Sequence, residues 1–107
     1  MSNLKYKTRG MVKRENDNSP KHNYLIGLAY LNGVDVEVDH ERALSLITSS
    51  ADAGYIDAME KLFDMYESGV GVALDFRKAA VWAEKVYNYY FKNFGEEDKK
   101  HSRLFIT

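Results

Sequence analysis

The feature that most constrains this chain is a repeat of its own sequence at an interval of 36 residues. When the 107-residue sequence is shifted by that interval, six identities fall within one 14-residue stretch. They are Tyr30 with Tyr66, Gly33 with Gly69, Val34 with Val70, Val36 with Val72, Asp39 with Asp75 and Ala43 with Ala79. A period between about 20 and 50 residues is typical of stacked units that bury their apolar faces against one another. The sequence therefore predicts a repeat protein.

Each unit has the pattern of two helices. Apolar residues of the second copy recur at three- and four-residue spacing, which gives one buried helix face. They are Ala58, Met59, Leu62, Met65 and Tyr66. We expect this helix to end at Gly69, which can adopt the left-handed backbone, and the next helix to begin at Asp75, whose carboxylate can accept free backbone N–H groups.

Apolar residues, three of them small alanines, mark the buried side of that next helix. They are Ala79, Ala80, Trp82, Ala83 and Val86. The first copy follows the same plan, with a stop at Gly33, a start at Asp39 and the inward-facing residues Ile26, Ala29, Tyr30, Ala43, Leu44, Ile47 and Ala51. The sequence thus predicts an all-α, helical-repeat solenoid of antiparallel helix pairs.

At these positions the chain resembles the Sel1-like repeats, which are relatives of the tetratricopeptide repeats. The strongest match is the stretch 58–82, with its Gly69-Val70-Gly71-Val72 loop and Lys78-Ala79 pair. The copies depart from the family pattern at Asp35, where a second loop glycine is usual, at Leu46, which replaces Trp, and at Phe63, which replaces a small Gly. We expect Phe63 to set its helix pair slightly farther apart. The resemblance implies a right-handed superhelix with two clear repeats, at about 21–57 and 58–94, and a partial third.

The two ends of the chain differ from the repeats. Residues 1–20 are polar and basic, and we expect a flexible arm there. Aromatic residues surround the last predicted helix: Trp82, Tyr87, Tyr89, Tyr90, Phe91 and Phe94. The segment 87–98, an aromatic-rich helix end followed by Gly-Glu-Glu, resembles the kinesin-light-chain type of tetratricopeptide repeat. This resemblance implies a turn at Gly95-Glu96-Glu97 and the start of a further helix within 95–107.

Composition and spacing argue against several other functions. With 15 basic and 16 acidic residues, the chain has no field that favours nucleic acid or an anionic membrane. It has no cysteine, and His22, His40 and His101 fall in three different elements, so we expect no metal site, no cofactor and no enzyme. No apolar run is long enough for a membrane span, and the first residues lack a secretion signal, which favours the cytoplasm.

The candidate partner-binding residues come from the tetratricopeptide resemblance, in which the first helix of each pair lines a concave groove. Carried over, it places Tyr24, Leu28, Leu31 and Asn32 on the groove from the first copy and Asp57, Glu60, Asp64 and Glu67 from the second. Two alternatives remain open. The acidic residues can form an ordinary solvated helix face, and the apolar residues can be core covered by the arm or another helix.

The sequence therefore predicts a scaffold that binds a protein or peptide through this groove, as a module of a larger adaptor or regulatory protein. The alternative is a structural module that self-associates, for example as a homodimer, through the exposed C-terminal helix edge. The two differ in whether the mass in solution depends on concentration.

A further hypothesis concerns the first 14 residues, which carry five basic residues and no acidic one. Such an arm can fold back onto the acidic residues and block the groove until a partner displaces it. Deleting residues 1–14 is then expected to raise the affinity for a partner in a titration. An unchanged affinity would rule out this role for the arm.

Overall fold

Four helices account for most of the chain in the computed structural model, which describes residues 19–106 and the side chains of residues 19–94. The helices are α1 (Pro20–Asn32), α2 (His40–Asp52), α3 (Ile56–Ser68) and α4 (Phe76–Ile106). No strand occurs within residues 19–106. The predicted all-α class is confirmed. The basic arm lies outside the described residues, apart from its last two positions.

Side-chain oxygens stabilise the start of three helices. The Ser19 hydroxyl accepts the His22 amide at 3.3 Å, and the Asp39 carboxylate accepts the Arg42 amide at 3.0 Å. Asp75 accepts two amides through one carboxylate oxygen, at 3.0 and 3.1 Å. Each bond satisfies a backbone N–H group that lacks a partner within its helix. The helix starts predicted at Asp39 and Asp75 are confirmed.

Glycines end α1 and α3 as predicted. Gly33 has φ 71° and Gly69 has φ 74°, both in the left-handed region that a side chain disfavours. Their amides donate to the carbonyls of Ala29 and Met65, four residues earlier. The chain therefore leaves both helices at the same point of the repeat and in the same conformation.

Contacts at opposite ends show that each helix pair is antiparallel. In the first pair, the Ser50 hydroxyl at the end of α2 donates to the Pro20 carbonyl at the start of α1, at 2.6 Å. At the other end of that pair, Arg42 donates to the Tyr30 hydroxyl at 3.1 Å. In the second pair, the Lys78 ammonium lies 5.5 Å from the centre of the Tyr66 ring.

A single apolar core joins all four helices. Its buried members are Leu31, Ala43, Ile47, Ala51, Ala58, Met59, Leu62, Met65, Tyr66, Ala79 and Trp82. One predicted core residue is wrong: Ala80 is exposed. Ala80 lies about 100° around the helix from the buried Ala79. Because Ala79 and Trp82 face the core, Ala80 is turned away from it.

The two repeats fill the space between their helices differently. A side chain at Gly27 would place its Cβ 2.7 Å from Ile47 Cγ1, so glycine allows α1 and α2 to approach closely. The counterparts of these two residues are Phe63 and Ala83, which line one cavity. In the first repeat the large residue is Ile47 on the second helix of the pair, whereas in the second repeat it is Phe63 on the first helix. This exchange conserves the apolar character of the pair, and the wider spacing expected from Phe63 stays a prediction.

The last helix continues beyond the point at which we expected it to end. The turn expected at Gly95-Glu96-Glu97 is not formed, and α4 is one helix of 31 residues that reaches Ile106. A glycine within a helix costs only about 1 kcal/mol relative to alanine. Good helix formers follow the glycine and favour continuation: Glu96, Glu97, Lys99 and Lys100.

We predict that Asp35→Gly stabilises the chain. Asp35 has φ 62°, and its counterpart in the second repeat is a glycine, Gly71, with φ 77°. Because a left-handed backbone costs a residue with a side chain about 1–2 kcal/mol, and somewhat less for Asp, we expect a gain of about 0.5–1 kcal/mol. Urea denaturation followed by circular dichroism measures it. A lower free energy of unfolding in the variant would contradict this explanation.

Candidate binding surface

Four carboxylates run along one side of α3 and form the acidic face. They are Asp57, Glu60, Asp64 and Glu67. Their spacing of three, four and three residues places them on neighbouring turns of the helix that the structure shows for 56–68. Glu60 is half-buried and the other three are exposed. The predicted acidic residues therefore share one side of α3.

Tyr24 of the first repeat lies beside the acidic face. Its half-buried ring packs 5.5 Å from the ring of Tyr55, which directly precedes α3, at an angle of 55°. Burial and the negative charges of Asp57, Glu60 and Asp64 raise the pKa of Tyr24 above its ordinary value. Tyr24 and the acidic residues, predicted from separate repeats, are thus brought together.

A second tyrosine contacts the acidic face from α4. The Tyr90 hydroxyl donates to Glu60 Oε2 at 2.9 Å, and this hydrogen bond raises the pKa of Tyr90. Burial and the charge of Asp57 raise the pKa of Tyr55 as well. Sequence reasoning missed both Tyr55 and Tyr90 as members of the site. The signal for Tyr90 was available, because antiparallel pairing of α3 with α4 brings the start of one helix to the later turns of the other.

The apolar half of the expected groove is mostly core. Leu31 is only 7% exposed and belongs to the core cluster, which corrects its assignment as a partner-binding residue. The second repeat covers it, since a Cβ at Gly71 would lie 2.6 Å from Leu31 Cδ1. Leu28 is half-buried against the same core, and Asn32 is exposed at the end of α1. The accessible surface is therefore acidic and aromatic.

This arrangement suits a cationic ligand. Carboxylates form charge-assisted hydrogen bonds with lysine and arginine, and tyrosine rings attract the same cations through their faces. The part of the chain that the structure describes holds no group of three or more potential metal ligands and no helix long and apolar enough to cross a membrane. Contacts to positively charged side chains are the chemistry that this surface offers.

The raised tyrosine pKa values predict a pH dependence of stability. We expect the free energy of unfolding to fall as the pH rises above the ordinary tyrosine pKa of about 10. The folded chain holds the protons of Tyr24 and Tyr90 more tightly than the unfolded chain. Their stabilisation is therefore complete below the unfolded pKa and is lost as the pH rises through the folded pKa.

Urea denaturation across this pH range measures the effect. The double variant Tyr24→Phe, Tyr90→Phe should lose less stability on the alkaline side than the natural chain. Tyr87→Phe is the matched control, since Tyr87 lies one turn before Tyr90 on α4 and is 66% exposed. If the double variant and the natural chain lose the same amount, the proposed contacts with carboxylates do not govern the pH dependence.

Two antiparallel helix pairs at a 36-residue interval, with one shared core, define an α-helical repeat protein. A family model for the Sel1 repeat matches residues 23–55 and 56–86. The chain belongs to the Sel1 repeat family. Proteins of this family generally serve as protein-interaction scaffolds.

Solved structures of Sel1 repeat proteins have the same fold. A protective antigen of uropathogenic Escherichia coli strains matches with a TM-score of 0.68 and 24% identity over 75% of this chain and 17% of the antigen. A Sel1 repeat protein from Oxalobacter formigenes matches with a TM-score of 0.68 and 25% identity, over 76% of this chain and 62% of that protein. No curated protein matches the sequence. The chain thus spans less than two thirds of either solved relative.

Proposed function

We propose that this chain is a binding module of an adaptor protein and that it holds a partner polypeptide on the acidic face and its flanking tyrosines. The observation that carries the proposal is the position of Glu60, which accepts a hydrogen bond from Tyr90 and contributes, after burial and Asp57, to the raised pKa of Tyr24. Three helices, α1, α3 and α4, thus contribute to one polar surface. A rigid scaffold holds these groups in place, so less freedom is lost on binding.

The partner that fits best is a peptide segment rich in lysine or arginine. Such a segment gains from charges spaced along three turns of α3 and from aromatic rings beside them. Apolar segments fit less well, because Leu31 is buried and Leu28 is half-buried in the core. Long-range attraction should also speed association at low ionic strength.

Selection of peptides from a random display library, with the full chain as bait, tests the function. We expect the selected peptides to be enriched in lysine and arginine. Their affinity should fall at least tenfold in the double variant Asp57→Lys, Asp64→Lys, which reverses two exposed charges of the acidic face. A tenfold change corresponds to about 1.4 kcal/mol. Isothermal titration calorimetry measures this difference.

The matched control is Asp52→Lys, because Asp52 is also an exposed helical carboxylate but lies at the end of α2. Affinity in this variant should stay close to that of the natural chain. Selected peptides that bind the acidic-face variant and the natural chain equally well would contradict the proposal.

The aromatic residues of α4 favour a second function, self-association through the C-terminal helix edge. Tyr87, Phe91 and Phe94 are each between 46% and 66% exposed, which is unusual for large apolar rings. Rings also pair along the helix, as Tyr87 does with Phe91 at 6.2 Å. If this edge mediates association, the variant Tyr87→Ser, Phe94→Ser should be less associated in sedimentation than the natural chain. Equal association would exclude the edge.

A further inference from the structure

The way in which the second repeat packs on the first defines a repeat interface within the chain. Tyr55 at the start of the second repeat contacts Tyr24 of α1, and the loop at Gly71 closes over Leu31 at the end of α1. The α3 helix also packs along α2. One repeat therefore presents a surface on which the following repeat docks.

The second repeat presents the counterpart of that surface. An open cavity of about 370 Å³ is lined by Glu60, Phe63, Asp64, Ala83 and Val86. Ala83 and Val86 are half-buried, whereas their counterparts 36 residues earlier, Ile47 and Ser50, are fully buried. The cavity thus lies where the first repeat is covered.

We propose that this surface binds the first repeat of a second copy of the chain, so that copies stack head to tail. In a second copy, α1 is the counterpart of α3 at the 36-residue interval. It carries Ile26 and Tyr30 where α3 carries Leu62 and Tyr66. The stacking interface would therefore use the same helix positions as the interface within each chain, with partly different residues at them. Because the cavity includes Glu60 and Asp64 of the acidic face, stacking and peptide binding would compete for this surface.

Charge supports this occupant. Within the chain, Asp57 lies two residues after Tyr55, whose ring is 5.5 Å from that of Tyr24, and together with burial its charge raises the pKa of Tyr24. The counterpart of Asp57 is Lys21, and the counterpart of Tyr24 is Glu60. Between stacked copies, the same geometry brings the exposed Lys21 of one copy to Glu60 of the other. The two positions hold a tyrosine and a carboxylate within the chain. Between stacked copies they would hold a glutamate and a lysine, which form an attractive ion pair.

A second contact has the same property. Glu41 at the start of α2 lines a cleft together with Asp75 of the second repeat. Their counterparts are Arg77 and Asp39, so stacking would place opposite charges where the chain itself places two carboxylates. Of the two pairs, Lys21 with Glu60 is better suited to mutation, because Asp39 also caps α2.

One counterpart pair opposes stacking. The contact between Leu31 and Gly71 corresponds to Glu67 and Asp35, which are both negative. Both residues are exposed, so water and salt screen their repulsion. Arg77, which stacking brings to the neighbouring Asp39, reduces it further. We therefore expect association that is weak, salt-dependent and visible at high protein concentration.

Sedimentation velocity of the full chain across a hundredfold concentration range tests the proposal. A head-to-tail contact is heterologous and does not close on itself, so the mass of the natural chain should rise beyond that of a dimer. Lys21→Glu and Glu60→Lys should each remain monomeric, because each variant places like charges at every junction. Circular dichroism confirms that both variants keep the helices.

Sedimentation of an equimolar mixture of the two variants is the decisive experiment. The Glu60→Lys variant carries lysine at both positions and the Lys21→Glu variant carries glutamate at both, so every junction between different variants pairs opposite charges. We expect the mixture to regain association beyond a dimer, with the two variants alternating along the stack. A natural chain that stays monomeric throughout would overturn the proposal. So would single variants that associate like the natural chain, which would assign association to another surface, including the aromatic edge of α4. Peptide binding is also measured with the Lys21→Glu variant, whose substitution lies outside the acidic face. A failure of stacking can then be told apart from a failure of peptide binding.

Discussion

Replacing Leu62 by Ala is expected to lower the free energy of unfolding by about 2–5 kcal/mol. Leu62 is 0% exposed at the centre of α3, where it belongs to the core that joins both repeats. The shortened side chain leaves a cavity that its closely packed neighbours fill only in part. Because domains are generally stable by only about 5–15 kcal/mol, a loss of this size can unfold a considerable fraction of the chain. Urea denaturation followed by circular dichroism measures the loss.

Leu74→Ala is the matched control for this prediction. The same side chain is shortened, but Leu74 is 55% exposed in the loop before α4. Its free energy of unfolding should stay within about 0.5 kcal/mol of the natural value. Similar losses in the two variants would mean that Leu62 does not occupy the central position in the core that the structure gives it.

Gly71→Val should be almost as damaging, with a loss of about 2–5 kcal/mol from two additive causes. Gly71 has φ 77°, a backbone conformation that a β-branched residue disfavours strongly. A Cβ at this position would also lie 2.6 Å from Leu31 Cδ1 and 3.3 Å from Met65 Cε. Both contacts are with the ends of flexible side chains, but each residue is buried in the core and can adjust only by disturbing its own neighbours. Chemical denaturation measures the change.

Gly54→Val separates the two causes. Gly54 also has a positive φ, 97°, but a Cβ there would meet no atom within 4 Å. Only the backbone conformation is then strained, and the expected loss is about 1–2 kcal/mol. Equal losses at the two glycines would show that packing of the Gly71 loop on Leu31 contributes nothing to the free energy of unfolding. The repeats would then be joined differently from the way the structure shows.

The parts of the fold that could be predicted are those that depend on local chemistry. Gly33 and Gly69 end their helices and Asp39 and Asp75 begin theirs through bonds that span only a few residues. The periodic match between the copies then fixed the order of the helices. These features follow from the sequence because no distant residue decides them.

The features that were missed depend on tertiary packing. Leu31 has the spacing of a groove residue, but the second repeat covers it through the loop at Gly71. Ala80 has the composition of a core residue, yet the rotation of α4 turns it outward. Tyr90 joins the site through a partner 30 residues away. Periodicity gives the faces of a helix, but it does not say which face a neighbouring repeat will cover.

Comparison of the two repeats shows how the proposed binding surface differs from its counterpart in the first repeat. Tyr24 and Leu28 of the first repeat occupy the positions of Glu60 and Asp64 in the second. The first pair packs half-buried against the core, whereas Asp64 is exposed and Glu60 bonds Tyr90. The same helix positions thus form a packing surface in the first repeat and a charged surface in the second.

Mapping a selected peptide onto the chain by the shifts of backbone amide resonances tests the central claim most directly. The account predicts that amides of residues 57–67 and of residues around Tyr24 and Tyr90 shift on titration with a lysine- and arginine-rich peptide from the library. Residues on the far side of α2, such as Glu41 and Ser45, should stay unchanged. Shifts confined to α2, with none along the acidic face, would contradict the claim that the acidic face is where this Sel1 repeat protein binds its partner.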